Sequence, residues 1–310
     1  MPCGVTMISL LENNKNNPIV FHIIGMDLKK ESKEKLLSIS LGYKDVSVLF
    51  YEIKKELLES HKFSLFDSKH LSLATYSRLF LEEILPQNID KILYLDCDMI
   101  IAKDLSDLWN TDIGNYSVAG VPDLYVLSSR IDVFEHLGYD IIFQYVNAGM
   151  LLINLRYWRE RNLIKRFLNF YEEKHNKLTF HDQDIINGTL YDTKLLLPMK
   201  FNVLDYYYSS RKKNFVQYED EVCEAIKEPV IIHYTSSDKP WYKSCLHPLK
   251  DEFFKYKNIS PWKNDPLAWP NISLSKKIQY YKRVMLYALK LKEPKYINIK
   301  KDTKTGQYIF

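Results

Sequence analysis

The sequence predicts an α/β fold, and two observations support this class. Short apolar runs rich in β-branched residues alternate with segments of helical periodicity, which is typical of α/β proteins with parallel strands. One such run, KILYL, is followed at once by the acidic triplet DCD at residues 96–98. The chain has 310 residues, 46% of them hydrophobic and 26% charged, which suffices for one large domain or two modest ones.

The first third of the chain contains these elements in regular order. Apolar residues at helical spacing predict helices for VTMISLLENN and for residues 29–40 and 71–85. β-rich runs bounded by glycine or polar residues predict strands for residues 17–25, 45–51 and 91–95.

The alternation continues up to about residue 250. Strands are predicted for residues 117–121, 145–154 and 229–233. Helices are predicted for residues 157–174 and 182–190, the second closed by Gly188. Beyond Pro261 the strand pattern stops, so we expect a catalytic domain at residues 1–250 and a basic, aromatic tail at residues 251–310.

The composition excludes several classes of protein. No window approaches the roughly 18 consecutive apolar residues of a transmembrane helix. The N-terminus lacks the basic segment and long apolar core of a secretory signal. The four cysteines are scattered without a CxxC pair, as in proteins of a reducing compartment. We therefore expect a cytoplasmic protein.

The tail concentrates the positive charge. Residues 276–301 contain nine basic residues and one acid, whereas the whole chain has a formal net charge of +4, so the body is mildly acidic. Helical spacing puts five apolar residues near one face of a helix at residues 276–292: Ile278, Tyr281, Met285, Ala288 and Leu289. The pattern fits a helix on an anionic membrane, or a helix packed on the body with its charged face in water. No nucleic-acid recognition motif accompanies it.

Asp96 and Asp98 are the first candidate site residues. Side chains two apart on a strand face the same way, and the end of a parallel strand is where α/β sheets bind ligands. Two carboxylate oxygens there suit Mg²⁺ or Mn²⁺. The alternative is that both carboxylates cap the following helix or face solvent.

His233 and Lys239 follow the last predicted strand. A histidine beside two carboxylates favours Mn²⁺ over Mg²⁺, because imidazole is the softer ligand. Lys239 can reach a phosphate as a point charge. The alternatives are a hydrogen-bonded structural histidine and a solvated lysine.

Four segments together resemble a known family. They are ATYSRLFLEEILPQNIDKILYLDCDMIIAKDLSDLW, VNAGMLLINLRYWR, HDQDIIN and HYTSSDKPW. Their order and spacing are similar to those of glycosyltransferase family 8, which includes bacterial lipopolysaccharide galactosyl- and glucosyltransferases and glycogenin. The resemblance covers residues 5–241.

The resemblance implies a GT-A fold with a Rossmann-like mixed sheet, a UDP-galactose or UDP-glucose donor, Mn²⁺ and retention of anomeric configuration. It implies that Asp96, Asp98 and His233 are metal ligands and that Gln183 lies beside the anomeric carbon. It also implies donor contacts for the remaining motif residues: Arg78, Asp123, Asn147, Asp182 and Lys239.

The reaction has two possible courses. An amide is a poor nucleophile, so Gln183 favours same-face displacement, in which the departing phosphate deprotonates the acceptor hydroxyl. Asp182 is the alternative nucleophile for a covalent intermediate. The acceptor is expected to be a glycan or a lipid-linked or protein-linked sugar. The resemblance also favours the membrane interpretation of the tail, at the inner face of the membrane.

Two departures from the family pattern suggest a second hypothesis. The resemblance implies a central first strand that we expect to be missing here, and Ser236 stands where the family's last motif usually has glycine. Both departures fit a catalytically impaired relative that binds sugar or protein. A third hypothesis is a phosphohydrolase with Asp96 as nucleophile, although the DxD lies far from the N-terminus.

Overall fold

The fold is given by a computed structural model that describes residues 1–53, 73–210 and 216–310. The chain divides into two compact units. The first unit comprises Met1–Asn14, Asp96–Leu105 and Met199–Phe310, and the second comprises Lys15–Leu95 and Ser106–Pro198. The domain boundary near residue 250 stays a prediction, and residues on both sides of it belong to the first unit.

Helices and strands are numbered in chain order over the described residues. The helices are α1 Pro2–Asn13, α2 Lys30–Ser40, α3 Leu81–Ile84, α4 Ser106–Trp109, α5 Leu124–Ser129, α6 Asp132–Leu137, α7 Leu155–Arg161, α8 Leu163–Lys174, α9 Asp182–Leu190, α10 Glu219–Lys227, α11 Lys250–Lys257 and α12 Leu274–Ala288. The strands are β1 Ile19–Gly25, β2 Val46–Glu52, β3 Lys91–Leu95, β4 Met99–Ile101, β5 Val118–Pro122, β6 Val146–Asn154, β7 Lys194–Leu196, β8 Val203–Leu204, β9 Ile231–His233, β10 Lys300–Lys301 and β11 Tyr308–Ile309.

The second unit contains a four-stranded sheet in the order β3-β6-β5-β7 and a separate parallel pair, β1-β2. β6 is antiparallel to both β3 and β5, and only β5-β7 is parallel within the larger sheet. The expectation of a parallel strand at residues 91–95 was therefore wrong for its pairing with β6, although the sheet is mixed as the family resemblance implied. Alternation of helices and strands does not reveal that β6 returns antiparallel along β3.

The strands of the second unit differ in burial. Every residue of β5 and β6 is buried, whereas all of β3 and most of β1 are half-buried. Among the described strands, β1 pairs only with β2 and β3 only with β6, so each has one edge outside a ladder. The expectation that the family's first strand is missing stays a prediction.

Two predicted helices differ from the observed ones, and a third, at residues 182–190, is observed with its predicted bounds. The helix expected at residues 157–174 is two helices, because Asn162 has a φ of 50° and ends α7. The segment from Leu73 to Leu85 forms a 3₁₀ helix and the short α3; residues 71 and 72 lie outside the described residues. Gly188 does not close α9, which continues to Leu190. A Cβ at Gly188 would lie 2.1 Å from Phe170, so glycine allows close packing there.

The first unit contains a three-stranded sheet, β4-β9-β8, whose outer strand β4 is accompanied by α1. Polar side chains of α1 bind the backbone of this strand and of the turn before it. The Thr6 hydroxyl lies 2.9 Å from the Cys97 carbonyl and 2.8 Å from the Met99 carbonyl. Ser9 accepts from the Ile101 amide at 3.0 Å. These hydrogen bonds satisfy backbone carbonyl and amide groups at the edge of the sheet, which would otherwise be free to pair with another strand.

The helix expected at residues 276–292 is α12, and its apolar face is exposed. Ile278, Tyr281, Met285 and Leu289 are 54–61% exposed, whereas Tyr280, Val284 and Tyr287 on the opposite side are half-buried. If the helix packed on the body with its charged face in water, these apolar side chains would be buried. Their exposure therefore does not fit that alternative. Within the described part of the chain, no helix is long and apolar enough to cross a membrane.

Candidate functional site

The acidic pair lies in the turn between β3 and β4 of the chain. Asp96, Cys97 and Asp98 follow the last residue of β3, and the Cys97 carbonyl accepts from Thr6 of α1. The Asp98 carbonyl accepts from the Tyr234 amide at 3.0 Å, which connects the turn to the segment after β9. The turn is therefore fixed on two sides by backbone and side-chain hydrogen bonds.

His233 is brought to this turn by strand register. It is the last residue of β9 and pairs with Met99 of β4, the residue after Asp98. The buried imidazole places its Nε2 3.2 Å from Asp98 Oδ1 and 4.0 Å from Asp96 Oδ2. Its Nδ1 lies 3.0 Å from Asn202 Oδ1, and because an amide oxygen only accepts, Nδ1 donates to it while Nε2 faces the carboxylates.

The donor set fits a divalent metal. One ligand atom from each of Asp96, Asp98 and His233 lies within 4.8 Å of the others. Two carboxylate oxygens and an imidazole nitrogen are ligands that Mn²⁺ and related divalent ions accept. The Asn202 contact fixes the histidine tautomer, as a partner on the second ring nitrogen does in metal sites. The predicted convergence of these three residues is therefore present within the first unit.

Lys239 balances the negative charge beside this group. Its ammonium lies 2.5 Å from Asp98 Oδ2 and also donates to the Tyr234 carbonyl. Burial raises the pKa of Asp98, but the attraction and hydrogen bonds of His233 and Lys239 outweigh it and hold that pKa well below its usual value. Asp98 is therefore an anion that a ligand cation can share with Lys239.

Three predicted residues of the second unit form one hydrogen-bonded cluster. Asn147 and Gln183 donate side-chain N–H groups to Asp123 Oδ2, at 3.1 and 3.3 Å. The other oxygen of Asp123 caps α5 by accepting from the Tyr125 amide at 3.1 Å. Burial raises the pKa of Asp123 in spite of these bonds. Gln183 Oε1 accepts from the Ala148 amide at 2.9 Å, so both ends of this amide are fixed.

Asp182 and Arg78 form a buried ion pair in the same unit. Arg78 Nε lies 2.8 Å from Asp182 Oδ2, and Thr75 donates to Asp182 Oδ1 at 2.7 Å. Arg78 also donates to the Ala148 carbonyl at 2.5 Å and lies over the Tyr94 ring, 4.5 Å from its centroid. Both oxygens of Asp182 are thus engaged by protein donors.

Two residues that sequence reasoning did not single out fix α9 in place. Asp184 accepts from the Tyr145 hydroxyl at 2.6 Å and from the Thr179 and Phe180 amides at 2.5 and 2.7 Å. Asn187 bonds both backbone groups of Val146 at 2.8 Å, as a neighbouring strand would. The HDQDIIN segment was the signal available in the sequence for these two residues. It places several polar side chains on one helix, and that helix is buried.

The model of glycosyl transferase family 8 matches residues 1–245 of this chain. The chain therefore belongs to that family and is a glycosyltransferase. The predicted family and the GT-A fold are confirmed.

Individual relatives agree with this membership. The chain is 31% identical over 266 residues to a lipopolysaccharide 1,2-glucosyltransferase of Escherichia coli, covering 85% of this chain and 76% of that protein. It is 27% identical to general stress protein A of Bacillus subtilis, covering 84% of this chain and 89% of that protein. Among solved structures, the galactosyltransferase LgtC in complex with donor and acceptor sugar analogs matches with a TM-score of 0.74 at 23% identity. That match covers 90% of this chain and 95% of LgtC, and it concerns the fold.

Proposed function

We propose that this protein is a retaining hexosyltransferase that moves galactose or glucose from a UDP-sugar to a glycan, lipid-linked or protein-linked acceptor. The observation that carries the proposal is the group formed by Asp96, Asp98 and His233, with Lys239 on Asp98. This combination suits a nucleoside diphosphate, because a diphosphate needs a divalent cation and a further positive charge as it leaves.

Asp96, Asp98 and His233 are the proposed ligands of Mn²⁺, with Mg²⁺ as the alternative. When bound, the cation supplies positive charge to the diphosphate oxygens. Lys239 is proposed to weaken its contact with Asp98 when the donor binds and to contact the same diphosphate. Its position 2.5 Å from Asp98 Oδ2 supports this, because it keeps a cation at the cluster before the donor arrives.

The contacts with the donor sugar are proposed for a second set of residues, those of the family motifs. Asp123 and Asn147 are proposed to hold sugar hydroxyls, and Arg78 to contact the donor. Gln183 is proposed to lie beside the anomeric carbon, where its fixed amide can stabilise positive charge through its oxygen. The hydrogen-bonded Asp123 cluster supports these roles, because groups already fixed lose little entropy when they bind a sugar.

The geometry favours same-face displacement over a covalent intermediate on Asp182. A nucleophilic carboxylate needs a lone pair directed at the substrate. Asp182 instead gives one oxygen to Arg78 and the other to Thr75, and it is almost fully buried. We therefore propose that the departing phosphate accepts the proton of the acceptor hydroxyl.

The alternative of an impaired sugar-binding relative rested partly on Ser236. In the structure the Ser236 amide donates to Asp205 at 3.1 Å, and its hydroxyl accepts from the Asp238 amide at 3.2 Å. Ser236 is absent from the residues with positive φ in the described chain, so its backbone does not require glycine. The loop therefore accommodates serine, whose hydroxyl adds one hydrogen bond, and this favours the enzyme.

The tail is proposed to bring the cytoplasmic enzyme to the inner face of an anionic membrane. The exposed stripe of α12 (Ile278, Tyr281, Met285, Leu289) faces away from the half-buried side of the helix, and basic residues surround it. An apolar stripe flanked by lysines is the pattern of helices that lie in a membrane interface. Binding to vesicles containing anionic lipid, lost on Ile278→Ser with Met285→Ser, is the expected result.

The decisive experiment is a donor screen by release of UDP. We expect release from UDP-galactose or UDP-glucose in the presence of Mn²⁺, its loss with a chelator, and a product of unchanged anomeric configuration. Asp96→Asn is the matched inactive variant. If no UDP-sugar is turned over while UDP with Mn²⁺ still raises the melting temperature, the binding-protein hypothesis replaces this one.

A further inference from the structure

A segment of the tail, residues 294–297, packs beside the loop at residues 234–241 that contains Lys239. The segment pairs with residues 208–210: the Ser210 amide donates to the Lys295 carbonyl at 3.0 Å, and the Ile297 amide donates to the Tyr208 carbonyl at 2.8 Å. Residues 294–297 lie beyond the part of the chain that the family model matches. Their pairing therefore joins a segment outside the matched region to residues inside it.

Two side chains of this tail segment bind Asp238, the residue before Lys239. Lys295 Nζ lies 2.5 Å from Asp238 Oδ2, and the Tyr296 hydroxyl donates to the same oxygen at 3.0 Å. The Tyr296 hydroxyl also lies 3.4 Å from Asp205 Oδ2, and Tyr296 is buried. Asp238 is thus held by a charged and a neutral donor from one short segment.

Asp205 holds the earlier part of the same loop. Its Oδ1 accepts from the Thr235 hydroxyl and from the Ser236 amide, the latter at 3.1 Å. Because Tyr296 reaches both carboxylates, Asp205 and Asp238 form one network around the loop. The loop is fixed at residues 235, 236 and 238, and Lys239 follows directly.

We propose that Lys295 and Tyr296 are positioning residues that fix the loop so that Lys239 meets the donor diphosphate. This rests on the proposed function, in which Lys239 binds that diphosphate. The ammonium of a lysine is carried on a flexible stem of four carbons, so its position depends on a fixed backbone at the lysine itself. Misplacement of a binding group by about 1 Å can cost about 100-fold in rate.

The experiment compares Tyr296→Phe and Lys295→Met with matched controls at exposed residues outside the site and outside α12. Tyr116→Phe removes an exposed hydroxyl, and Lys304→Met removes an exposed tail charge. We expect Tyr296→Phe with Lys295→Met to raise the KM for the donor about tenfold, the effect of losing hydrogen bonds of this kind. The KM for the acceptor should stay unchanged, and Lys295→Arg should restore most of the donor KM.

Hydrogen exchange provides a readout that does not need activity. The paired substitution should speed exchange of the amides at residues 234–239, whereas the two control variants should leave it unchanged. Unchanged exchange at these amides overturns the proposal. Faster exchange with an unchanged donor KM also overturns it, because the loop then loosens without consequence for the donor.

Failure of the proposed function is separable from failure of this inference. If the wild-type protein turns over no UDP-sugar, the hexosyltransferase proposal fails, and the positioning role fails with it even where exchange shows the loop to be held. If the wild type is active and the paired variant loses only kcat, in proportion to its folded fraction, then Lys295 and Tyr296 are structural and positioning is refuted.

Discussion

Asp98 in the first unit and Asp182 in the second are both carboxylates that contact a basic side chain, yet the two pairs differ in kind. Asp98 meets Lys239 at 2.5 Å, with the side chains 21% and 20% exposed. Asp182 meets Arg78 at 2.8 Å, with the side chains 7% and 8% exposed. A lysine is a movable point charge, whereas arginine is a planar group that here also binds a backbone carbonyl and stacks on Tyr94.

The difference in exposure means that the charges of the Asp98–Lys239 pair can exchange partners, whereas those of the Asp182–Arg78 pair are fixed. Water reaches the Asp98 pair, so a cation or a diphosphate can replace one partner at modest cost. The Asp182 pair is sealed, so breaking it leaves a buried charge without compensation. We therefore expect breaking the Asp98 pair to affect ligand binding above all, and breaking the Asp182 pair to affect above all the free energy of unfolding.

The largest expected effect is on stability, for Arg78→Met. Removing the guanidinium leaves Asp182 buried and uncompensated, which should lower the free energy of unfolding by about 3–5 kcal/mol. Chemical denaturation measures this loss. Adding Asp182→Asn should recover a large part of it, and a double-mutant cycle gives the coupling. A loss below about 1 kcal/mol would show that the Arg78 pair is as replaceable as an exposed one.

Next in size is the catalytic effect of Asp98→Asn. Loss of a charged ligand beside the leaving diphosphate should lower kcat/KM about 10²–10³-fold. The free energy of unfolding should fall by less than for Arg78→Met, because the Asp98 pair is partly open to water. UDP release and denaturation are measured on the same preparation, with Asp107→Asn on the exposed side of α4 as control. Strong destabilisation without loss of metal dependence would contradict the comparison.

The sequence was informative about side chains that directly follow strands. Asp96, Asp98 and His233 were expected to lie together as residues at strand ends, and they do converge, because His233 at the end of β9 pairs with Met99 at the start of β4. Family motifs further predicted Asp123, Asn147 and Gln183, which are in hydrogen-bond contact; their roles at the donor stay predictions.

Residues that hold the site through hydrogen bonds from distant parts of the sequence could not be predicted in this way. Thr6, Asn202 and Tyr296 are distant in sequence from the groups they fix, and no periodicity marks them. Gly188 was misread as a helix end, because glycine signals a break unless the facing Phe170 ring is known. The antiparallel return of β6 was missed for a related reason, since strand direction depends on tertiary pairing.

A third prediction uses two buried aspartates whose pKa values move in opposite directions. Burial raises the pKa of Asp184 in the second unit, and its hydrogen bonds do not offset this. Burial also acts on Asp205 in the first unit, but hydrogen bonds from Ser236 and Thr235 leave its pKa lowered. The stabilising contribution of Asp205 is therefore present above its unfolded pKa and is lost as the pH falls through its folded value. That of Asp184 is present at low pH and is lost as the pH rises through its folded value.

Substitution by asparagine should remove each dependence separately. Asp205→Asn should flatten the acid side of the curve of unfolding free energy against pH, and Asp184→Asn should flatten the side above the unfolded pKa of aspartate. Denaturant titrations between pH 3 and pH 7 measure both. If both variants change the slope of unfolding free energy against pH in the same direction, the pKa values of the two aspartates do not move in opposite directions on folding.

The smallest expected effect tests how firmly the acidic turn of the first unit is fixed. Thr6→Val keeps the shape of the side chain but removes the hydroxyl that contacts the Cys97 and Met99 carbonyls. The cost in unfolding free energy should be about 1 kcal/mol, the net value of one such hydrogen bond. The concentration of Mn²⁺ for half-maximal activity should rise several-fold, because the carbonyl between the two aspartates loses its anchor, whereas Thr6→Ser should retain the wild-type value. If Thr6→Val leaves that concentration unchanged, the turn is held by the Tyr234 amide and the β4-β9 ladder alone, and α1 contributes stability without shaping the metal group.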